Sequence, residues 1–136
     1  MKRKRKPFQP DTPDDLLQQD FTGDCYRAAC QWASATKGQG WTVVHGTVRN
    51  LEKGRLNHAW CERDEEVIDL AMPVGMREFT RAEYYRVLAP DVTKRYPAEH
   101  AVLLSIRNHH YGPWEEDEQL PEWLLTELAN RKNGSV

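Results

Sequence analysis

The chain has 136 residues and a mass of 15.9 kDa, with 19 basic and 21 acidic side chains, a net charge of -2, five His and three Cys. That length fits one domain, and 39% hydrophobic residues with five Trp and five Tyr exclude global disorder. No stretch approaches the roughly 20 apolar residues of a membrane span, and an odd number of Cys excludes a complete disulfide scaffold, so a reducing cytoplasm is the expected compartment.

Charge is uneven along the chain. Lys2, Arg3, Lys4, Arg5 and Lys6 form an unbroken basic run; taking those five from the 19 leaves 14 basic against 21 acidic side chains, a net of -7. With Pro7, Pro10 and Pro13, residues 1–13 read as a basic, flexible, solubilising tail. The alternative is a nucleic-acid contact through that run, which the acidic body opposes. Residues 14–136 read as a single domain. Asp14 to Asp20 reads as a short helix capped by Asp11 or Thr12. From Asp24 to Lys37, Cys25, Ala28, Ala29, Trp32 and Ala33 recur at i, i+3, i+4, i+7 and i+8, the apolar face of an amphipathic helix. Thr22 or Asp24 is placed to cap its start, and Gly38 and Gly40 to close it.

Trp41 to Val48 has strand composition. Leu56 to Arg63 and Glu66 to Leu70 then read as a hairpin about Asp64 and Glu65, ended by Pro73 and Gly75. Three further helices are expected at Thr80–Leu88, Pro97–His110 and Pro121–Lys132, linked by Asp91–Tyr96 and Gly112–Leu120. The expected fold class is α+β, with a central helix on a small antiparallel sheet of about three strands and further helices C-terminal.

Cys25 opens its helix after Thr22-Gly23-Asp24. A helix N-terminus presents unbonded N–H groups and partial positive charge, which favour a thiolate and can hold an oxyanion. Gly23 permits a tight turn and leaves space beside the sulfur. Asp24 opposes ionisation of the thiol, and Cys25 also lies on the apolar stripe, so a buried structural cysteine is the competing reading. The hairpin bears on that choice. A two-residue turn pairs Arg63 with Glu66, Glu62 with Val67 and Trp60 with Asp69, placing His58 and Asp69 diagonally on one face. A carboxylate there orients the imidazole and stabilises its protonated form. A three-residue turn sets Asp69 opposite Ala59 instead. Asp69 lies between Ile68 and Leu70, and an acidic residue in an apolar run needs a partner.

Gly-Asp-Cys-Tyr-Arg-Ala-Ala (23–29), Asn-His-Ala-Trp-Cys-Glu (57–62) and Val-Ile-Asp-Leu (67–70) resemble the compact papain-like fold of transglutaminase-like cysteine enzymes. His58 follows Cys25 by 33 positions and Asp69 follows His58 by 11. The resemblance covers about residues 19–70. It implies Cys25 as nucleophile, His58 as general base and acid, Asp69 as orienter, no cofactor, and a peptide or protein substrate. It also suggests Gln19, six residues before Cys25, as an oxyanion donor. Tyr26 stands where relatives often have Trp; it and Trp60 are candidate cleft-wall residues, with an ordinary core role for Trp60 equally open. Hydrolysis of an amide or isopeptide is the leading function. A transglutaminase or other acyltransferase, a non-catalytic binding module on the same scaffold, and nucleic-acid association through the tail are the alternatives.

Zinc held by Cys25, Cys30, His58 and Cys61 is disfavoured. Residues five apart on a helix diverge by about 140°, residues three apart on a strand face opposite sides, and no Cys-x-x-Cys pair is present. Cys30 and Cys61 read as core. His45 reads as a core or rim residue, His109 and His110 as surface residues, and Glu115–Glu118 as a solvated loop.

Overall fold

The structure, a computed structural model, describes residues 11–133; the basic run Lys2–Lys6 lies outside them. Helix α1 (Pro13–Gln18) starts where its chemistry dictates. The Thr12 hydroxyl accepts from the Asp15 amide, the Asp15 carboxylate accepts from the Thr12 amide, and Pro13 occupies the first turn. Helix α2 (Cys25–Ala35) buries four of the five residues of the stripe read from its periodicity, Ala28, Ala29, Trp32 and Ala33, together with Cys30, while Cys25 at its start is only half-buried.

The sheet has five antiparallel strands rather than three: β1 (Thr42–Asn50), β2 (Gly54–Arg63), β3 (Glu66–Ile68), β4 (Glu78–Thr80) and β5 (Asp91–Pro97), in the order β4-β3-β2-β1-β5. Helix α3 (Arg81–Leu88) follows β4, with Thr80 and Glu83 repeating the reciprocal cap of α1. Helices α4 (Ala98–Asn108) and α5 (Glu122–Asn133) close the chain, with a 3-10 turn at Glu116–Glu118 between them. The segment expected as a link, Asp91–Tyr96, is therefore an edge strand. Every residue from Asp91 to Arg95 is exposed, so it carries no apolar alternation; its backbone bonds to β1 define it. Strand β4 spans three residues, too few to show a period.

Side chains on the sheet alternate between two cores. Val43, Ala59, Cys61 and Ile68 join α2 and α4. Val44, Val48, Trp60 and Val67 join Tyr84 of α3. This is period-2 alternation of strands covered on both faces. The β2–β3 hairpin has the two-residue turn: Arg63 pairs with Glu66, Glu62 with Val67 and Cys61 with Ile68, while Asp64 takes a left-handed φ of 52°. Asp69 follows immediately after β3 ends.

Candidate active site

Cys25 is the first residue of α2 and is half-buried. The first helical hydrogen bond runs from the Ala28 amide to the Asp24 carbonyl at 2.9 Å, so the amides of Cys25, Tyr26 and Arg27 precede the ladder. Asp24 occupies the cap position, but its side chain accepts no capping bond. Its Oδ2 instead meets Arg27 Nε at 2.5 Å, and the Arg27 guanidinium lies 4.8 Å over the Phe21 ring. The charge that sequence set against an ionised thiol is thus engaged by Arg27, and the helix start is left open. Gly23 has φ of 77°, and a Cβ there would meet nothing within 4 Å.

His58 on β2 donates from Nε2–H to Asp69 Oδ2 at 2.7 Å, with side-chain exposures of 16% and 0%. That contact leaves Nδ1 as the ring nitrogen for Cys25. Burial alone lowers the basicity of His58, but hydrogen bonding to Asp69 and Cys25, together with their charges, outweighs it and raises the imidazole to about 10. Trp60 stacks on His58 with centroids 6.0 Å apart. At 1% exposure Trp60 is a floor beneath the imidazole, not a wall open to substrate.

Asp69 is the fixed point of this arrangement. Its Oδ2 also accepts the Tyr84 hydroxyl at 2.7 Å, its Oδ1 accepts the Ala71 amide at 3.1 Å, and its own amide donates to the Arg77 carbonyl at 2.9 Å. Arg77 is buried and donates to the carbonyls of Leu16, Leu17 and Met72, tying α1 to the loop behind Asp69. The partner demanded by a carboxylate among apolar residues is therefore double, His58 and Tyr84.

A second buried carboxylate supports the floor. Glu62 accepts from Trp60 Nε1 (2.7 Å), the Tyr85 hydroxyl (2.6 Å) and Arg95 (2.9 Å), and pairs with Arg81 at 3.0 Å. Burial would raise its carboxyl, but the bonds from Tyr85, Trp60 and Arg95 hold it below the usual range. No family model, curated protein or solved structure matches this chain.

The remaining candidates lie apart from Cys25, His58 and Asp69. Gln19 caps the C-terminal end of α1, half-buried, and its side chain makes no hydrogen bond among the described residues. The Tyr26 ring meets His45 edge-on at 4.9 Å, and burial with the charge of Cys25 pushes its hydroxyl up to about 12. His45 is a core residue, enclosed by Tyr26, Tyr96 and Trp114. Cys30 and Cys61 donate to the carbonyls of Tyr111 and Ala29. Burial pushes Cys30 up to about 12 and Cys61 well above an ordinary thiol. His109 ends α4, whereas His110 pairs with Glu118 at 2.6 Å, so part of the acidic run is engaged rather than simply solvated. A cavity of about 310 Å³ lies beside Trp32, Trp41 and Phe79, and neither Cys25 nor His58 lines it.

Tyr84, Tyr85, Arg27 and Arg77 were not legible as parts of this site. Tyr84, Tyr85 and Arg77 contribute polar groups from segments with no motif of their own, Arg27 lies within the motif around Cys25 without a role read from it, and only the need of Asp69 for a partner signalled that something was missing.

Proposed function

We propose that the chain is a cysteine-dependent acyl-transfer enzyme with a papain-like core, hydrolysing an amide or isopeptide bond in a peptide or protein. The observation that carries this reading is the His58 Nε2–Asp69 Oδ2 contact at 2.7 Å, on an imidazole whose other partner is Cys25 at a helix start. His58 takes the thiol proton of Cys25, and the imidazolium is held by Asp69. The thiolate attacks the substrate carbonyl carbon, forming the C–S bond and moving the carbonyl electron pair onto oxygen, opposite the open amides at the start of α2. Collapse of that intermediate breaks the C–N bond, and His58 protonates the departing amine. Water, deprotonated by His58, then releases the acid and restores the thiol. An amine in place of water gives transamidation by the same steps. Three free thiols fit a reducing compartment such as the cytoplasm.

Alkylation of Cys25 by iodoacetamide at neutral pH tests the reading, with Cys25→Ala as the blank. His58→Ala is expected to slow it by about tenfold or more, because the cationic partner of the thiolate is removed. Equal rates in wild type and His58→Ala would sink it.

A further inference from the structure

Helix α3 brings a group to the triad that the mechanism above does not use. The Tyr84 side chain is wholly buried, and its hydroxyl lies 2.7 Å from Asp69 Oδ2, the same oxygen that His58 Nε2 contacts at 2.7 Å. Its ring is fixed on three sides, 5.2 Å from Phe79, 5.5 Å from Trp60 and 6.5 Å from Tyr85. A hydroxyl so placed has one role open to it, as donor to the carboxylate. We propose that Tyr84 is a positioning residue of the Cys25–His58–Asp69 site, which shares Asp69 Oδ2 with His58 and thereby sets how tightly the imidazole keeps its proton.

The physical argument is electrostatic. The O–H dipole of Tyr84 points its positive end at Oδ2 and draws on the lone-pair density that would otherwise bind the imidazolium. The Asp69 carboxylate then stabilises the cation less than an unshared carboxylate does. An imidazolium held too firmly is a poor acid for a leaving amine, so the shared oxygen favours return of the proton. The ionisable groups facing Tyr84 are Asp69 after β3, Glu62 on β2, Cys25 on α2 and Tyr85 on its own helix; those facing His58 are Asp69 and Cys25. Glu62 is compensated by Arg81 and Arg95. Burial, then the charge and hydrogen bond of Asp69, keep the Tyr84 hydroxyl protonated far beyond neutral pH.

This inference deepens the acyl-transfer reading, and its test is separable from it. In a Cys25→Ala background, where coupling to the thiol is absent, the His58 ring nitrogens are titrated by nitrogen-15 NMR with and without Tyr84→Phe. The midpoint is expected to rise by about half a unit to one unit, the worth of one net hydrogen bond. Site-specific replacement of Tyr84 by 3-fluorotyrosine, a stronger donor, is expected to lower it. A merely structural role for Tyr84 alters the melting temperature and leaves the midpoint in place. An unchanged or lowered midpoint in Tyr84→Phe overturns the proposal, as does a rise with fluorotyrosine. Should Tyr84→Phe fail to fold, the fluorotyrosine arm alone decides. Neither arm depends on whether Cys25 reacts, so a failure of the alkylation test leaves this result standing on its own.

Discussion

His58 meets a different chemistry on each side: the carboxylate of Asp69 at Nε2, the face of Trp60 beneath, and Cys25 as the remaining hydrogen-bond partner. Only Asp69 supplies full opposite charge from a position with no solvent access, which makes it the dominant influence on the imidazole after burial. Asn in its place keeps the shape and loses that charge. Charge-assisted hydrogen bonds are roughly twice as strong as neutral ones, so Asp69→Asn is expected to reduce alkylation of Cys25 at neutral pH by about tenfold. The same variant should bring the His58 titration midpoint down, and an unchanged midpoint measured by NMR would contradict the assigned role of Asp69.

At the scale of elements, the site lies where the two cores meet. Cys25 packs against the α2 core, whereas Trp60 and Tyr84 belong to the α3 core, and His58 contacts members of both. Gly46 of β1 lies opposite His58, and a Cβ added to it would stand 2.2 Å from the Asp91 carbonyl oxygen. That approach is to backbone, which cannot swing aside as a side chain can. Gly46→Ala is therefore expected to cost about 2–3 kcal/mol by forcing β5 off β1, seen as a drop of roughly 10 °C in the melting temperature. A melting temperature equal to wild type would show that β5 is not seated so closely.

Across the whole molecule, two histidines impose opposite pH dependences on stability. His45 is 4% exposed, boxed by aromatic rings, with Nε2 unpartnered, and burial lowers it to about 4. The unfolded chain takes up a proton near pH 6.5 that the folded chain refuses, so stability declines as pH falls from about 6.5 towards 4. The full effect is on the order of 3 kcal/mol. His58 is raised, so its contribution is complete below about 6.5 and is lost as pH climbs through about 10. Glu62, held low by its donors, adds to the acid side, since its contribution disappears as pH drops through its lowered value. Urea midpoints measured from pH 7 to pH 4 should fall less steeply in His45→Phe than in wild type, because Phe keeps the ring contacts and does not titrate. Parallel slopes would remove His45 from this account.

The sequence by itself determined the α+β class and most of the apolar face of α2, left the hairpin turn between two registers, and marked Cys25, His58 and Asp69 as candidates, with their roles drawn from a resemblance. The class, the helix face and the candidate turn follow from local rules: a period of 3.6, a period of 2, or a fixed offset across a turn. Two strands escaped it for the complementary reason. β5 is an exposed edge whose identity lies in its bonds to β1, and β4 is too short to carry a pattern. The tertiary structure alone decided that Trp60 lies under His58, that Arg27 engages Asp24, that the Gln19 side chain makes no hydrogen bond among the described residues, and that Tyr84 shares the oxygen of Asp69. Those relations join residues from separate elements, and their distances depend on how helices and sheet pack together. Periodicity states which face of an element is buried; only packing states which polar atom it meets there.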